Sequence, residues 1–458
     1  SWLAAHSGAA RIVLGTRMAV FASMPRLRLV VVDEEHDPSY KQQEGARYSA
    51  RDLAVYRGKL EDAKVLLGSA TPSLESWQAS EKGRYQRLLM ASRVGQDDTG
   101  AFPTVRLVDM NLQPKRAVFS PQLLDAIQQR IARGEQSLIF LNRRGYAPVL
   151  ACTACDWKSE CPNCSAYRVF HKIDRTLRCH HCGYTERVPR ACPLCGNVDI
   201  APVGRGTERL EEHLAELLVD VKQANGEPVR IARMDADSTR HKGALEQQLA
   251  RMHAGDVDVL VGTQMVTKGH DFRRITLVAA LNPDTALFSS DFRAPERLFG
   301  LLMQAAGRAG RDAAQAGASE MWVQTWHPTH PLFSALRRHD YPAFAASQLK
   351  EREQAGMPPF GFQALLRAEA RTQEAAQAFL KAAAAAGQAL DGGDRVTLYS
   401  AVPMGVQRVA NVERAQMLVE SASRAALQKF LSAWQPILQA TREKGLIRWA
   451  VDVDPLVI

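Results

Sequence analysis

All eight cysteines of the 458-residue sequence lie in one block and form four Cys-x-x-Cys pairs. The pairs are Cys152/Cys155, Cys161/Cys164, Cys179/Cys182 and Cys192/Cys195. A Cys-x-x-Cys turn points two thiolates at one tetrahedral ion, and two such pairs complete a structural zinc site. Four pairs therefore predict two structural zinc ions. Redox chemistry is the weaker interpretation, because it does not need four such pairs in one short block.

The spacing of the cysteines does not by itself decide which two pairs share an ion. In a nested arrangement the two inner pairs hold one ion and the two outer pairs hold the other, whereas sequential pairing is the alternative. His180 and His181 lie between predicted ligands. Two complete all-thiolate sets predict that these histidines are bystanders.

Near the start of the sequence, a short apolar run ends in Asp33, Glu34, Glu35 and His36. In a nucleoside-triphosphate motor, an aspartate at a strand end holds Mg²⁺ through water, and the next acidic residue orients the attacking water. Asp33 and Glu34 would take these roles, and His36 completes the candidate catalytic set. Taken alone, the motif also fits a solvated acidic turn, so this interpretation depends on the other motifs.

Three further motifs carry residues suited to phosphate chemistry: "GSATPS", "VGTQMVTKGHDF" and "QAAGRAGR". Their candidate residues are Ser69 and Thr71 in the first, Thr263, Gln264, Lys268, Gly269 and Asp271 in the second, and Gln304, Arg308 and Arg311 in the third. Hydroxyl groups and backbone N–H groups at strand ends bind phosphates, and an arginine near a helix end can stabilise a γ-phosphate. Each motif alone could be a loop or a cap, but their order along the chain favours a motor.

Parallel strands must position these motifs, because such strands present their loops at one edge of a sheet. Apolar runs of strand length and helices of regular period predict an α/β set over residues 1–95 and a second over 96–150 and 201–345. Residues 95–115, with two glycines and two prolines, are predicted as a linker. The cysteine block at 151–200 is an insertion in the second set. Two β-α-β-like units at 346–458 predict a ferredoxin-like α+β domain.

The charge balance favours an anionic partner, since the formal net charge is +9. Basic residues and aromatic rings alternate in the cysteine block, which suits single-stranded DNA, where bases stack and phosphates pair with cations. An equally weighted alternative is that these aromatic rings fill the small core of the cysteine block. Trp157 is the best candidate for an exposed contact with DNA. No run approaches the length of a membrane span, and the first residues lack the features of a signal peptide.

The ordered set "GTR", "DEEH", "GSATPS", "VGTQMVTKGHDF" and "QAAGRAGR" resembles a superfamily 2 helicase, and the paired-cysteine insertion narrows the resemblance to the PriA (primosomal protein N′) family of replication-restart helicases. It implies two RecA-like parallel-sheet lobes, the first incomplete here, and ATP with Mg²⁺ in the full-length parent. The family nests its zinc pairs. That order gives one site of Cys161, Cys164, Cys179 and Cys182 and another of Cys152, Cys155, Cys192 and Cys195.

The same resemblance implies contacts with DNA and with partner proteins. Residues matched to DNA contacts are Thr16 and Arg17, and Tyr40, Arg47 and Tyr48 in an aromatic-rich loop that couples DNA binding to hydrolysis. Thr263, Gln264 and Lys268 are further DNA-contact candidates. Family members unwind DNA from 3′ to 5′, bind forked DNA, help to assemble the primosome and bind the tail of single-stranded-DNA-binding protein. Arg424 and Gln428 are candidates for that tail pocket, with a solvated helix face as the alternative. The expected location is cytoplasmic, at the nucleoid.

One expected motif does not occur in the sequence. A phosphate-binding loop of this kind needs a "GK[ST]" segment, and the nearest match, "RGKL", places Leu60 where a hydroxyl is required. We therefore expect the chain to be part of a longer protein and to hydrolyse ATP negligibly by itself. A non-catalytic zinc-ribbon adaptor is the second hypothesis, and another superfamily 2 translocase is the third.

Overall fold

The protein is described by a computed structural model over residues 2–90, 102–114, 117–141, 149–171, 175–179, 181–203, 207–235, 238–239, 243–263, 272, 274–289, 291–309 and 319–458. Five predicted site residues lie outside these ranges: Gln264, Lys268, Gly269, Asp271 and Arg311. His180 also lies outside them. Among the helices within these ranges, none has the length and apolar character needed to cross a membrane.

The first lobe, residues 2–90, contains a two-stranded parallel sheet with helices after each strand. Its elements are α1 (Trp2–His6), β1 (Leu29–Val32), α2 (Ala50–Glu61), β2 (Lys64–Leu67) and α3 (Leu74–Glu81). Serine hydroxyls cap α2 and α3, since Ser49 accepts from the Asp52 N–H and Ser73 from the Ser76 N–H. Aliphatic side chains remain exposed on the sheet, with Leu29 at 56%, Val31 at 57% and Leu66 at 45%.

A second set of elements opens another sheet and then enters the cysteine-rich insertion, residues 149–203. These elements are β3 (Thr104–Asp109), α4 (Pro121–Ala132), β4 (Gln136–Leu141), β5 (Val149–Cys152), β6 (Val169–His171), β7 (Thr176–Arg178), β8 (Thr185–Arg187) and β9 (Ile200–Val203). The insertion folds as an antiparallel sheet in the order β8-β7-β6-β5-β9. Its first and last strands therefore pair with each other and close the module on itself.

The chain then completes the second lobe with seven elements and two connecting helices. These are α5 (Thr207–Leu217), β10 (Ile231–Met234), α6 (Ala244–Ala254), β11 (Val259–Gly262), β12 (Ile275–Leu281), α7 (Ala294–Ala306), β13 (Glu320–Thr325), α8 (Pro331–Arg337) and α9 (Tyr341–Gln354). The sheet of this lobe is all-parallel, in the order β10-β11-β4-β12-β13-β3. Its central strands β4, β11 and β12 are almost wholly buried, as expected when helices cover both faces.

The C-terminal domain is a separate antiparallel sheet with two helices. Its elements are β14 (Phe362–Ala370), α10 (Gln373–Gln388), β15 (Thr397–Leu398), β16 (Val402–Val409), β17 (Val412–Ser421), α11 (Arg424–Ala440) and β18 (Leu446–Val453). The strand order β15-β17-β14-β18 is that of a ferredoxin-like domain, and β16 adds a hairpin on β17. Trp434 is fully buried in its core, where the indole N–H donates to the Ala383 carbonyl.

The predicted α/β fold, the interrupted second lobe and the C-terminal α+β domain are confirmed. The prediction of a linker over residues 95–115 is wrong for residues 104–109, which form the edge strand β3. This strand pairs with β13, which lies more than 200 residues later. The local sequence therefore gives no sign of the pairing. Pro103 directly precedes the strand, and an edge strand tolerates a neighbouring proline.

Candidate functional site

The acidic motif follows β1 directly and forms a turn at the carboxyl edge of the first sheet. Asp33 and Glu34 are exposed, and Glu34 takes a left-handed conformation with φ of 47°. The Asp33 carboxylate accepts from the Glu34 N–H at 3.0 Å. A left-handed non-glycine residue is uncommon and is held by its surroundings, here by Glu35 N–H donating to the Gly68 carbonyl. The two carboxylates assigned to Mg²⁺ and water thus face solvent.

The third acid of the motif, Glu35, has a structural role that sequence reasoning missed. It is 2% exposed, and its carboxylate accepts from the Ser73 N–H at 2.6 Å, from the Ser73 hydroxyl at 3.0 Å and from the Ser76 hydroxyl at 3.0 Å. Arg51 of α2 pairs with it at 3.3 Å. Glu35 therefore fixes the acidic turn to the start of α3, just beyond "GSATPS".

His36 connects both lobes through its two ring nitrogens. Its Nδ1 lies 2.7 Å from Ser69 Oγ and 3.5 Å from the Glu34 carboxylate, and its Nε2 lies 3.2 Å from Gln304 Nε2. Both ring nitrogens of His36 therefore have a hydrogen-bonding partner, one in each lobe. Ser69 Oγ also accepts from the Thr71 N–H at 3.0 Å.

Helix α7 of the second lobe approaches this network closely. Gly300 of α7 lies where an added Cβ would be 3.3 Å from Thr71 Oγ1 and 3.9 Å from the His36 ring. The glycine thus permits the contact between α7 and both motifs of the first lobe. Gln304, one turn later, makes its hydrogen bond to His36 from this helix, and Arg308 follows the helix end. The structure therefore brings the predicted residues Ser69, Thr71 and Gln304 together around His36.

An ion pair and a hydrogen bond clamp the two lobes together beside this network. Glu296 of α7 accepts from the Leu74 N–H at 2.9 Å, so the second lobe caps a helix of the first. The other oxygen of Glu296 pairs with Arg352 at 2.7 Å. Glu75 of the first lobe pairs with Arg293 of the second.

Glu75 makes this clamp sensitive to acid. Burial alone would raise its pKa, but the guanidinium of Arg293, helped by Arg51 and Arg352, lowers the pKa from 4.5 to about 2. Because the folded-state pKa is depressed, the stabilisation is complete above about pH 4.5 and is lost as pH falls toward 2. That difference corresponds to about 3 kcal/mol.

We expect Glu75→Gln to lower the free energy of unfolding at pH 7 by about 3 kcal/mol and to flatten its pH dependence between 4.5 and 2. Chemical denaturation of both proteins across this range measures the effect. Glu61→Gln, which removes an exposed carboxylate of the same lobe, is the control, and it should keep the wild-type pH slope. Parallel slopes for Glu75→Gln and wild type would contradict the assignment.

The predicted DNA contacts of the first lobe lie beside the acidic turn. The Tyr40 hydroxyl donates to the Asp33 carbonyl at 2.6 Å, and burial, followed by the carboxylates of Asp33, Asp37 and Glu34, raises the Tyr40 pKa. The Arg17 guanidinium donates to the Ser39 carbonyl at 2.9 Å. Tyr40 therefore contacts the acidic motif directly, and Arg17 contacts the segment that follows it.

The aromatic-rich loop, residues 37–49, is anchored on the C-terminal domain. The ammonium of Lys41 is buried, and it lies 3.0 Å from the Asp452 carboxylate and 3.2 Å from the Arg47 carbonyl. It also donates to the Val453 carbonyl. Tyr48 packs edge-on against the ring of Phe21 at 4.9 Å between centroids. The loop that carries Tyr40, Arg47 and Tyr48 is therefore held from two domains.

Two of the remaining predicted DNA contacts differ in exposure. Thr16 is exposed just before a short helical turn, whereas Thr263 is 5% exposed at the end of β11. Trp157 in the cysteine-rich insertion is half-buried, so it is less accessible than the sequence predicts.

The eight cysteines gather into two sets whose sulfur atoms lie within 4.8 Å of one another. The inner set is Cys161, Cys164, Cys179 and Cys182, and the outer set is Cys152, Cys155, Cys192 and Cys195. The nested order is thereby confirmed. Four free thiols at these distances are the donor set of a structural zinc site, so both clusters fit zinc.

A cavity of about 640 Å³ lies between the first lobe, α7 and the C-terminal domain. Arg424 and Gln428, on α11, are in its lining, as are Arg51, Arg84 and Arg297. The Arg424 guanidinium is paired with Asp454 at 2.7 and 2.8 Å and stacks over the Phe362 ring at 4.5 Å. The two predicted residues therefore line a cavity whose walls carry both basic side chains, such as Arg51 and Arg84, and acidic ones, such as Asp52 and Glu75.

Three family descriptions match separate parts of the chain. Residues 353–456 match the Primosomal protein N C-terminal domain, residues 161–187 the PriA DNA helicase Cys-rich region domain, and residues 203–313 the Helicase conserved C-terminal domain.

Relatives from distant bacteria match almost the whole chain. The Replication restart protein PriA of Haemophilus influenzae is 42% identical, over 99% of this chain and 60% of the relative. The Bacillus subtilis protein of the same name is 35% identical, over 100% of this chain and 55% of the relative. The chain thus spans a little more than half of their length. The Mycobacterium smegmatis helicase Lhr, solved with single-stranded DNA and AMP-PNP, superposes with a TM-score of 0.37 at 16% identity, over 75% of this chain and 33% of Lhr. On the sequence matches, the chain belongs to the PriA family of replication restart proteins.

Proposed function

We propose that this chain is the larger part of an ATP-dependent 3′→5′ DNA helicase that restarts stalled replication forks and initiates primosome assembly. The observation that carries the proposal is the path from Gln304 through His36 to Ser69, which joins the "QAAGRAGR", "DEEH" and "GSATPS" motifs at one interface. A hydrogen-bonded contact between these motifs suits a motor whose lobes respond to nucleotide. The helicase lobes would occupy residues 1–95 and 96–345, around an insertion at 151–200, with a C-terminal domain at 346–458.

In this function, Asp33 holds the Mg²⁺ of ATP through water and Glu34 orients the attacking water. Their exposure on the edge of the sheet supports these roles. His36, Ser69, Thr71 and Gln304 transmit the state of the nucleotide between the lobes. Arg308 and Arg311 stabilise the γ-phosphate, and Gly269 and Asp271 complete the nucleotide site.

The aromatic-rich loop couples DNA binding to this nucleotide site. The hydrogen bond from Tyr40 to the Asp33 carbonyl supports such a route, because any displacement of Tyr40 by a base acts directly on the acidic turn. Single-stranded and forked DNA are the proposed substrates. They are held by Thr16, Arg17, Arg47 and Tyr48 in the first lobe, by Thr263, Gln264 and Lys268 in the second, and by Trp157 in the insertion.

Two zinc ions bind the inner and outer cysteine sets and hold the insertion in its folded form. The cavity lined by Arg424 and Gln428 receives the tail of single-stranded-DNA-binding protein, and the presence of both residues in its lining supports this assignment. Contacts with primosome proteins and a cytoplasmic, nucleoid-associated location complete the proposal.

The experiment compares ATP turnover with and without single-stranded DNA, in the chain alone and in a longer polypeptide that adds an upstream Gly-Lys-Thr phosphate loop. We expect negligible turnover for the chain alone and DNA-stimulated turnover for the longer protein. Glu34→Gln in the longer protein should reduce turnover by about 10² to 10⁴, the range for a residue that activates a reacting group. Glu81→Gln, another exposed carboxylate of the first lobe, is the control and should leave turnover intact.

A second measurement separates this proposal from the adaptor hypothesis. Fluorescence anisotropy of a labelled oligonucleotide reports DNA binding independently of turnover. DNA binding without turnover in the longer polypeptide would favour the adaptor and contradict the helicase. ATP turnover by the chain alone that Glu34→Gln abolishes would show that the nucleotide site does not depend on the phosphate loop.

A further inference from the structure

A hairpin of the C-terminal domain reaches across to the cysteine-rich insertion. Strands β16 and β17 pair up to Val409 and Val412, and the two residues between them form the turn. Ala410 and Asn411 both have positive φ, at 50° and 62°. This is the tight turn that favours Asn-Gly, so alanine at its first position costs about 1 kcal/mol. Such a strained residue persists where its surroundings hold it.

The tip of this hairpin contacts the inner cysteine set through backbone groups. The Ala410 N–H donates to Cys164 Sγ at 3.3 Å. On either side, the Asn411 N–H donates to the Asn163 carbonyl and the Ser165 N–H donates to the Arg408 carbonyl, both at 2.9 Å.

The apolar side of the hairpin tip covers the same sulfur atoms. Val409 packs against the small core formed by Cys161, Cys164 and Cys179, each of which is at most 3% exposed. The hairpin thus supplies both an N–H donor and an apolar cover to ligands that lie 246 residues away along the chain.

The outer set is built differently. Cys152 accepts from the Ala154 N–H at 3.3 Å and from the Asn197 amide at 3.6 Å, both within the insertion. Cys195 is exposed, and Leu194 beside it is 70% exposed. Solvent and chelators therefore have a shorter route to the outer sulfur atoms than to the inner ones.

We infer that the Val409–Val412 turn is part of the inner zinc site, and that docking of the C-terminal domain slows loss of zinc from this site. An N–H that donates to a coordinating thiolate stabilises its charged form, and outer partners of metal ligands commonly change metal affinity by about 10- to 100-fold. Among the described residues, the outer site has no such hydrogen bond from the C-terminal domain, and it exchanges its metal faster. The inference rests on the zinc occupancy proposed above.

The experiment follows zinc release from the full chain into excess chelator, after elemental analysis has counted the bound zinc. We expect two zinc ions per wild-type chain, released in a fast and a slow phase of one ion each. Cys195→Ser, which removes an outer ligand, should abolish the fast phase and so identify it. Ala410→Pro removes the N–H and forbids the positive φ, and it should accelerate the slow phase at least tenfold without changing the fast one.

Two further variants keep the inference falsifiable if the proline disturbs the C-terminal domain. Ala410→Gly keeps the N–H and relieves the strain, so its slow phase should match wild type. Val409→Ser removes only the apolar cover and should accelerate the slow phase severalfold. Fewer than two zinc ions in wild type would overturn the zinc assignment itself. Two ions with a slow phase unchanged in both Ala410→Pro and Val409→Ser would overturn the hairpin inference alone.

Discussion

Cys179→Ser is expected to lower the zinc content from two ions per chain to one and to unfold the inner part of the cysteine-rich insertion. Cys179 is 1% exposed and is one of three buried residues that form the core of this part. A core of three cysteine side chains cannot replace a metal, because the binding free energy of a structural zinc, about 10 to 16 kcal/mol, is itself the folding free energy of such a module. Elemental analysis measures the stoichiometry, and hydrogen exchange of residues 161–187 measures the unfolding.

The matched control for this substitution is His181→Ala. His181 is exposed between the ligands Cys179 and Cys182, and both cysteine sets are complete without it. The variant should retain two zinc ions and wild-type protection from exchange. The core of the C-terminal domain, which contains no cysteine, should keep its protection in both variants. The turn at Ala410 and Asn411 should lose protection in Cys179→Ser, because its N–H groups donate to the inner part of the insertion. Two zinc ions in Cys179→Ser would refute the assignment of the inner site.

Lys41→Met is expected to release the aromatic-rich loop from the C-terminal domain. The side chains of Lys41 and Asp452 are 7% and 2% exposed, so the substitution leaves a buried carboxylate with Arg367, at 3.3 Å, as its remaining partner. Removing one member of a buried ion pair lowers the free energy of unfolding by about 3 to 5 kcal/mol. Because Asp452 keeps Arg367 as a partner, we expect a loss of about 3 kcal/mol for Lys41→Met. Hydrogen exchange at Gln42 and Tyr48, whose backbone groups close the loop, measures the loss of protection.

Arg448→Met, on the same strand as Asp452, provides the comparison for Lys41→Met. Arg448 pairs with Glu369 at 2.7 Å, but its side chain is 71% exposed. An exposed ion pair contributes at most about 1 kcal/mol, so this variant should leave the loop protected. Equal exchange behaviour of the two variants would show that Lys41 does not anchor the loop. Weakened binding of single-stranded DNA by Lys41→Met alone would further support the proposed DNA role of the loop.

Local patterns were sufficient for the metal ligands and for most elements of the lobes. The spacing of the cysteine pairs predicts two four-sulfur sites, because a Cys-x-x-Cys turn is a local geometry. Apolar runs such as "QSLIFL" and "ITLVAAL" predict the central strands β4 and β12, because both faces of a parallel sheet are buried and need no alternation.

The parts that sequence reasoning missed depend on contacts between distant residues. Glu35 resembles Asp33 and Glu34 in sequence, yet it is the one of these three acids that is buried. A hydrogen-bond donor to its carboxylate, the Ser73 N–H, lies at a helix start 38 residues later. The pair of Lys41 and Asp452 spans most of the chain, and the contact of Ala410 with Cys164 joins two domains. No local periodicity encodes such contacts, so only the assembled fold identifies them.

The aliphatic side chains left in water on the first sheet have a practical consequence for purified protein. Leu29, Val31 and Leu66 form an exposed apolar patch that can bury itself against another apolar surface, including that of a second copy of the chain. Concentrated samples should therefore associate with time, and light scattering would follow the process. Covering this surface with a fused neighbouring segment is the rational way to obtain monodisperse material for crystals or microscopy grids.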